Sequence, residues 1–187
     1  MGSLVLTGDT SGSVTVAVPA VAGTNTATFP AATGTVMVAG NMPAFNAYGS
    51  ALQSIATATF TKIAFNTKAF LNGVSGTVFD TNTNYDITNY RFTPTVAGYY
   101  QINSTISTTA SAAGLAIIAI YKNGTAFCYG NTVPNTNGGY ITVNGLVYCN
   151  GSTDYIEIYA YQNSGVSLNF GSNSAAFQFS GAMVRSA

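Results

Sequence analysis

Short runs of alternating apolar and polar residues, separated by turn-forming residues, dominate the sequence from residue 42 onward. Alternation with a period of two is typical of β-strands that bury one face, and helical spacing is nearly absent. Asn-Gly, Gly-Gly, Asn-Ser and Pro separate the runs, as expected of turns. We therefore predict an all-β fold, a sandwich or jelly roll of eight or more short strands. The predicted strands are 61–70, 90–92, 99–108, 115–121, 125–129, 140–149, 155–161 and 176–185.

Two local patterns leave alternatives open. Residues 47–59 include apolar residues at helical spacing, but β-branched neighbours and Gly49 favour a strand or an irregular loop. Asn123-Gly124 predicts a tight turn, because both residue types tolerate positive φ. The second such pair, Asn144-Gly145, falls inside a predicted strand, where it predicts either a turn or a bulge.

The N-terminal segment, residues 1–41, is expected to form an extended β stalk or linker that precedes a head at residues 42–187. Between Gly8 and Gly40 the chain consists largely of Gly, Thr, Ala and Val, with two prolines and Phe29 as its one aromatic residue. So few large side chains cannot offset the entropy lost when the segment becomes ordered. We therefore expect it to depend on partner chains or on the following domain.

The charge and histidine content exclude several kinds of chemistry. No histidine is present, and five Lys and Arg residues balance five Asp and Glu residues among 187. Without histidine the usual Ser-His-Asp and Cys-His nucleophilic sites and most transition-metal sites are excluded. A glycosidase needs two facing carboxylates, and the near-neighbour pairs are Asp80 with Asp86 and Asp154 with Glu157. The second pair has odd spacing, which places the two on opposite sides of a strand. We expect no enzyme activity and no cofactor.

The same composition bears on partners. The five cationic side chains are scattered singly along the chain, so no basic stripe exists to neutralise phosphates. The longest apolar stretch is far shorter than the 18 or so residues needed to span a bilayer. We therefore expect neither nucleic-acid binding nor membrane insertion.

The sequence contains one candidate calcium loop and one pair of cysteines. The run from Asp80 to Asp86 has oxygen-bearing side chains at alternate positions, but Tyr85 and Arg91 replace the Gly and Glu of an EF-hand. Calcium binding there is the alternative to a polar loop whose side chains cap their own turns. Cys128 and Cys149 are expected to be unbonded, since their strand positions hold them apart.

The run Tyr155–Tyr161 alternates so that Ile156, Ile158 and Ala160 share one face, which is expected to lie in the core. The opposite face carries three tyrosines and Glu157. Either another chain covers this face, since aromatic residues are enriched in interfaces, or the tyrosines face solvent.

Several motifs, taken in order and spacing, resemble the C1q/TNF-like family. They are Phe60–Asn66, Asn84–Thr88 with Arg91–Pro94, Ala97–Ile102, Asn150–Ile156 and the closing segment Phe177–Ala182. The resemblance covers residues from about Met42 to Ala187. It implies a ten-stranded jelly roll that forms a homotrimer, with the sheet containing the closing strand along the three-fold axis, and recognition rather than catalysis.

By this resemblance, axis-facing residues have the strand parity opposite to the core residues. The predicted trimer-interface residues are Gln101, Asn103, Glu157, Tyr159 and Phe179.

The predicted connection from Tyr129 to Tyr140 is a second candidate site. It contains Asn131, Asn135 and Asn137 between the two tyrosines. Amides and aromatic rings suit sugar hydroxyls and sugar faces, so these five residues are predicted to contact a receptor. The alternative is a long exposed connection rich in turn formers.

A second resemblance concerns the stalk, where Thr28–Val36 is similar to Pro-Ala-x-Thr-Gly-Thr stretches of bacteriophage tail-fibre and other virion proteins. Together the two resemblances suggest the receptor-binding tip of a phage fibre, located in the virion or otherwise extracellular. Its expected partner is a host surface carbohydrate or outer-membrane component, bound multivalently. The alternatives are a purely structural virion or cell-surface trimer and, third, an enzyme that degrades surface polysaccharide.

Overall fold

A computed structural model describes residues 3–21, 23–26, 28, 31, 36–38, 40, 42–70, 78–111, 113–134, 136, 138–171 and 174–187. The chain divides into two compact units, Met1–Gly34 and Thr35–Ala187. No helix in the described ranges has the length and hydropathy needed to cross a membrane.

The first unit contains an antiparallel hairpin of β1 (Ser3–Thr7) and β2 (Ser13–Ala17). Its register pairs Leu4 with Val16 and Leu6 with Val14, so these four aliphatic side chains share one face. All ten strand residues are exposed. Most of the predicted fibre-like stretch, residues 28–36, lies outside the described residues.

The second unit, the head, is built from short and long β-strands. They are β3 (Ala44–Tyr48), β4 (Gln53–Ile55), β5 (Thr61–Lys62), β6 (Thr67–Lys68), β7 (Tyr85–Asp86), β8 (Arg91–Phe92), β9 (Ala97–Thr108), β10 (Leu115–Lys122), β11 (Thr125–Pro134), β12 (Gly139–Asn150), β13 (Ile156–Gln162), β14 (Leu168–Phe170) and β15 (Phe177–Ser186).

These strands form two sheets, and every strand pair is antiparallel. The seven-stranded sheet has the order β4-β14-β9-β15-β3-β6, and β12, which is not in this order, also pairs with β9. The six-stranded sheet has the order β11-β10-β13-β8-β7, and β5 also pairs with β13. The predicted all-β class is confirmed.

The core lies between the sheets, where alternate residues of the long strands meet. Ile156, Ile158 and Ala160 on β13 are fully buried, as their alternation predicts. Aromatic rings fill the centre: Phe45 stacks on Phe92 at 4.3 Å between ring centroids. Packed ring pairs of this kind stabilise the fold by more than the burial of their apolar area alone.

The predicted strand 61–70 is two short strands in the structure. Thr61 and Lys62 pair with β13 in the six-stranded sheet, whereas Thr67 and Lys68 pair with β3 in the seven-stranded sheet. The chain therefore crosses between sheets here, which an uninterrupted strand cannot do. Residues 47–59 contain no helix; they include the end of β3 and all of β4.

The two Asn-Gly pairs have different roles. Asn123 and Gly124 have φ values of 53° and 77° and form the predicted tight turn between β10 and β11. The turn or bulge predicted at Asn144-Gly145 is wrong, because the register between β9 and β12 is uninterrupted there. Glycine instead provides space: a Cβ at position 145 would lie 3.1 Å from Ile120 Cδ1.

Cys128 and Cys149 are free thiols, in agreement with the prediction. Cys149 is fully buried in the core, whereas Cys128 is partly buried. Burial raises the pKa of Cys149 to about 11, so its thiol is protonated at neutral pH.

Candidate binding surfaces

The outer face of the seven-stranded sheet carries a row of uncharged polar side chains. Asn103 on β9 lies opposite Asn144 on β12 and Ser180 on β15, and Ser180 lies opposite Asn46 on β3. We call this row the amide row. Gln101 lies beside it, and its Nε2 donates to Asn103 Oδ1 at 3.4 Å. Gln101 and Asn103 thus both lie on this outer face.

Apolar and aromatic side chains continue this face beyond the amide row. Leu146, opposite Gln101, is 53% exposed. Tyr99 and Tyr148, the next pair along β9 and β12, have ring centroids 5.5 Å apart. A row of amides flanked by exposed apolar groups resembles the mixed composition of protein interfaces more than that of a charged, solvated surface.

Glu157 and Tyr159 lie on the other sheet. Both are on β13, on the outer face of the six-stranded sheet. The Glu157 carboxylate accepts a hydrogen bond from Lys62 Nζ at 2.9 Å, and the residue is 4% exposed. The structure therefore does not bring these residues to the face that holds Gln101 and Asn103.

The predicted outward orientation of Phe179 is wrong. Its side chain is 0% exposed and packs edge-on against Phe45, with ring centroids 4.8 Å apart. The outward-facing positions of β15 are instead Gln178 and Ser180, which alternate with Phe179.

The tyrosine face of β13 is covered partly by side chains of the same chain. Tyr159 stacks on Tyr121 of β10 with centroids 4.0 Å apart, and Phe60, just before β5, lies 5.0 Å from Tyr161. Burial raises the pKa of Tyr121 and of Tyr159, and the nearby Glu157 carboxylate raises that of Tyr159 further. Both phenols are therefore neutral at physiological pH. The tyrosines are therefore not simply exposed to solvent, and the predicted coverage by another chain stays a prediction.

Beside this cluster lies an open groove of about 550 Å³, which we call the aromatic groove. It is lined by Phe60, Leu115, Ile117, Tyr129, Tyr161 and Asn163. None of these described lining residues is charged. Tyr129 is 60% exposed, and its ring centroid lies 5.8 Å from that of Phe60. Asn163 Oδ1 accepts the Leu115 N–H at 2.8 Å, which fixes the amide at one end.

The residues predicted to contact a receptor do not converge on one site. Tyr129 lines the aromatic groove, whereas Tyr140 is exposed on β12, whose outer face belongs to the other sheet. Asn131 binds the backbone of β12: its Oδ1 accepts the Thr142 N–H, and its Nδ2 donates to the Tyr140 carbonyl at 3.3 Å. Asn131 thus holds β11 against β12. Asn135 and Asn137 lie outside the described residues.

Sequence reasoning missed most of the groove. The alternating tyrosines of β13 indicated an aromatic outer face, and Tyr161 belongs to that pattern. Nothing in the sequence around Phe60 indicated that it belongs to this face, because the pairing of β5 with β13 is what places Phe60 there. Leu115 and Ile117 resemble ordinary strand residues until β10 is placed beside β13.

The proposed calcium loop has its carboxylates engaged in separate turns. Asp80 Oδ1 accepts the Asn84 N–H at 2.9 Å, and Asp80 also pairs with Lys68. Asp86 Oδ1 accepts the Thr88 N–H at 2.8 Å. These contacts match the alternative of a polar loop whose side chains cap their own turns. Among the described residues, no three His, Cys, Asp or Glu side chains are grouped to hold a metal ion.

Comparison with known proteins identifies the fold. No protein-family model and no curated protein sequence matches the chain. Among solved structures, Eiger TNF from S. frugiperda has a TM-score of 0.54 and 8% identity, covering 78% of this chain and 93% of its own. Murine APRIL at pH 8.0 has the same TM-score and identity, with coverages of 76% and 99%. The globular domain of zebrafish complement 1qA has a TM-score of 0.47 and 12% identity, with coverages of 78% and 99%.

Identities this low establish a shared fold alone. With its two antiparallel sheets, the head has the predicted C1q/TNF-like jelly-roll fold.

Proposed function

We propose that the chain is a homotrimeric, non-enzymatic recognition protein that binds an uncharged carbohydrate through the aromatic groove. The main supporting observation is an open groove that presents Phe60, Tyr129 and Tyr161 beside Asn163. None of the groove residues in the described part of the chain is charged. Aromatic rings stack on the apolar faces of sugar rings, while phenol and amide groups hydrogen-bond sugar hydroxyls. A groove without charge favours a neutral sugar over an acidic one.

The outer face of the seven-stranded sheet supports self-association. Its described positions on β3, β9 and β12 are uncharged, and so are Gln178, Ser180 and Ala182 on β15. Arg185, near the end of β15, lies opposite Tyr99 and is the charged residue of β15 on this face. Three copies that meet around the amide row, away from Arg185, would bury no unpaired charge, which is the costly event in an interface. Gln101 and Asn103 are the proposed contacts closest to the three-fold axis. Homotrimers are what the C1q/TNF-like resemblance implies.

We further propose that this trimer acts at the tip of a bacteriophage fibre, in the virion, against a host surface glycan. The fibre-like stretch at Thr28–Val36 supports that setting. A shallow groove binds one sugar weakly, and three grooves on one head convert weak contacts into avidity.

The test is a calorimetric titration of the purified trimer with soluble neutral oligosaccharides prepared from the host surface. Tyr129→Ala removes a stacking surface. We therefore expect the affinity of each groove for the oligosaccharide to fall roughly tenfold, which matches the free energy of one aromatic contact. Phe127→Ala is the matched control, since Phe127 is an aromatic residue of the same strand, 48% exposed, and outside the groove lining. We expect the oligosaccharide affinity of Phe127→Ala to stay within about twofold of that of the parent protein.

Two results would contradict the proposal. If intact particles adsorb to the host while the trimer binds no neutral glycan, the purely structural alternative is favoured. Release of shortened glycan products would instead indicate an enzyme.

A further inference from the structure

The β1–β2 hairpin has two chemically different faces. Leu4, Leu6, Val14 and Val16 form one face, which we call the aliphatic face. The other face consists mainly of hydroxyl-bearing residues: Ser3, Thr7, Ser13 and Thr15, with Val5 and Ala17. The separation follows from the register, because directly paired residues of an antiparallel hairpin point to the same side.

Within the hairpin itself, nothing covers the aliphatic face. Its four side chains are between 51% and 65% exposed. A two-stranded hairpin on its own is at best marginally stable in water, since it has no second layer against which to bury a face. Four adjacent exposed aliphatic residues on such a hairpin therefore indicate a surface that is covered in the assembled protein.

We infer that the aliphatic faces of hairpins from different copies of this chain pack against one another, giving a second self-association site ahead of the head. This inference rests on the proposed trimer, in which three hairpins are held by one head. The hairpins then bury Leu4, Leu6, Val14 and Val16 together around a common axis, with the hydroxyl-bearing face toward solvent.

The chemistry of the hairpin favours a second copy as the occupant. Neither strand contains a charged residue, so two aliphatic faces meet without burying a charge. Specific interfaces between free proteins bury about 800 Å² on each partner, and four aliphatic side chains supply well under that area. A patch this small cannot hold an untethered partner. It requires an occupant that is already held nearby.

The head provides that tether. Ala17 at the end of β2 and Ala44 at the start of β3 have 26 residues between them. Even fully extended, a segment of this length reaches only about 90 Å. Three hairpins confined by such tethers experience an effective concentration on the order of a millimolar, at which small apolar patches associate.

Cysteine cross-linking of the full chain tests the inference. Val16→Cys places a thiol on the aliphatic face, and Thr15→Cys, the matched control, places one on the opposite face of the same strand. Each variant is oxidised mildly at nanomolar concentration, where untethered copies rarely meet, and is analysed by non-reducing electrophoresis with the parent chain as background. We expect most Val16→Cys chains to form covalent dimers, at least fivefold more than Thr15→Cys chains. Adding Leu6→Lys to Val16→Cys should abolish this excess while the trimer mass is retained.

The outcomes separate the two proposals. A trimeric head whose Val16→Cys chains cross-link no more than Thr15→Cys chains overturns the hairpin inference and leaves the proposed function intact; docking of the hairpin on its own head or on a different protein gives that result. A monomeric mass overturns the proposed trimer itself, and the hairpin inference with it.

Discussion

At the scale of single residues, buried polar side chains connect segments that are distant in sequence. Gln162, at the end of β13, is 0% exposed. Its Nε2 donates to the carbonyls of Ile55 at 3.0 Å and Val166 at 2.7 Å, and its Oε1 accepts the Ser164 N–H at 2.8 Å. One amide thus joins β4, β13 and the turn that follows β13.

Replacing Gln162 with Leu should destabilise the head by about 2–4 kcal/mol, because buried backbone groups would lose their partners and each costs roughly 1–3 kcal/mol. Guanidinium unfolding of the variant and the parent measures the difference. A change below about 0.5 kcal/mol would mean that water satisfies these groups and that Gln162 has little structural role.

Alkaline pH tests the burial of Cys149. Its pKa is raised by desolvation from 9.0 to about 11, so burial favours the protonated thiol. The resulting stability is fully present below pH 9, the unfolded-state value, and is lost as the pH rises toward 11. We expect the fall in unfolding free energy between pH 9 and pH 11 to be about 2 kcal/mol smaller in Cys149→Ala than in the parent. Equal falls in the two proteins would contradict the assigned burial.

At the scale of elements, β11 approaches β12 closely enough to require glycine. A Cβ at Gly130 would overlap the Thr142 carbonyl oxygen and lie 2.7 Å from a methyl group of Ile118. The Thr142 carbonyl belongs to the backbone of β12, so it cannot move aside as the end of a flexible side chain can. The same contact is reinforced by Asn131, whose side chain binds Thr142 and Tyr140.

Gly130→Ala should therefore push β11 away from β12 and cost about 1–3 kcal/mol, as overpacking in a tight site does. Gly40→Ala is the control, since a Cβ there would meet no atom within 4 Å. Thermal unfolding followed by circular dichroism compares the two. Equal melting temperatures would show that β11 moves freely and that the close approach is not required.

Sequence reasoning predicted most of the long strands, although it ended β11 at Tyr129 rather than Pro134, and it missed many short ones, for a physical reason. β9, β10, β12, β13 and β15 each contain enough residues for alternation to be visible, and all five were predicted. A strand of two or three residues, such as β7 or β14, is defined by the partner it pairs with and has no pattern of its own.

For the candidate sites too, the sequence indicated local features such as side-chain direction but not which distant strands lie together. Alternation correctly indicated that Gln101 and Asn103 point away from the core. It could not indicate that Glu157 and Tyr159 belong to the other sheet, because sheet membership depends on pairing between distant strands. Likewise, the groove joins Phe60, Tyr129 and Tyr161 only after three separate segments are placed side by side.

At the scale of the whole molecule, the proposed trimer depends on the uncharged amide row on the outer face of the seven-stranded sheet. Asn103→Arg would place a cation in the amide row of every copy, where three like charges would meet near the axis. We expect this variant to be folded and monomeric. Thr125→Arg, at an exposed position on β11 in the other sheet, should remain trimeric. A trimeric Asn103→Arg would locate the interface on another face.

The proposed trimer can be tested by the solution mass of the purified chain, measured by light scattering after size exclusion over a range of dilutions. We expect about three times the chain mass of 19.2 kDa, unchanged on dilution to submicromolar concentration. A stable species of 19.2 kDa would contradict the trimer and the avidity that depends on it.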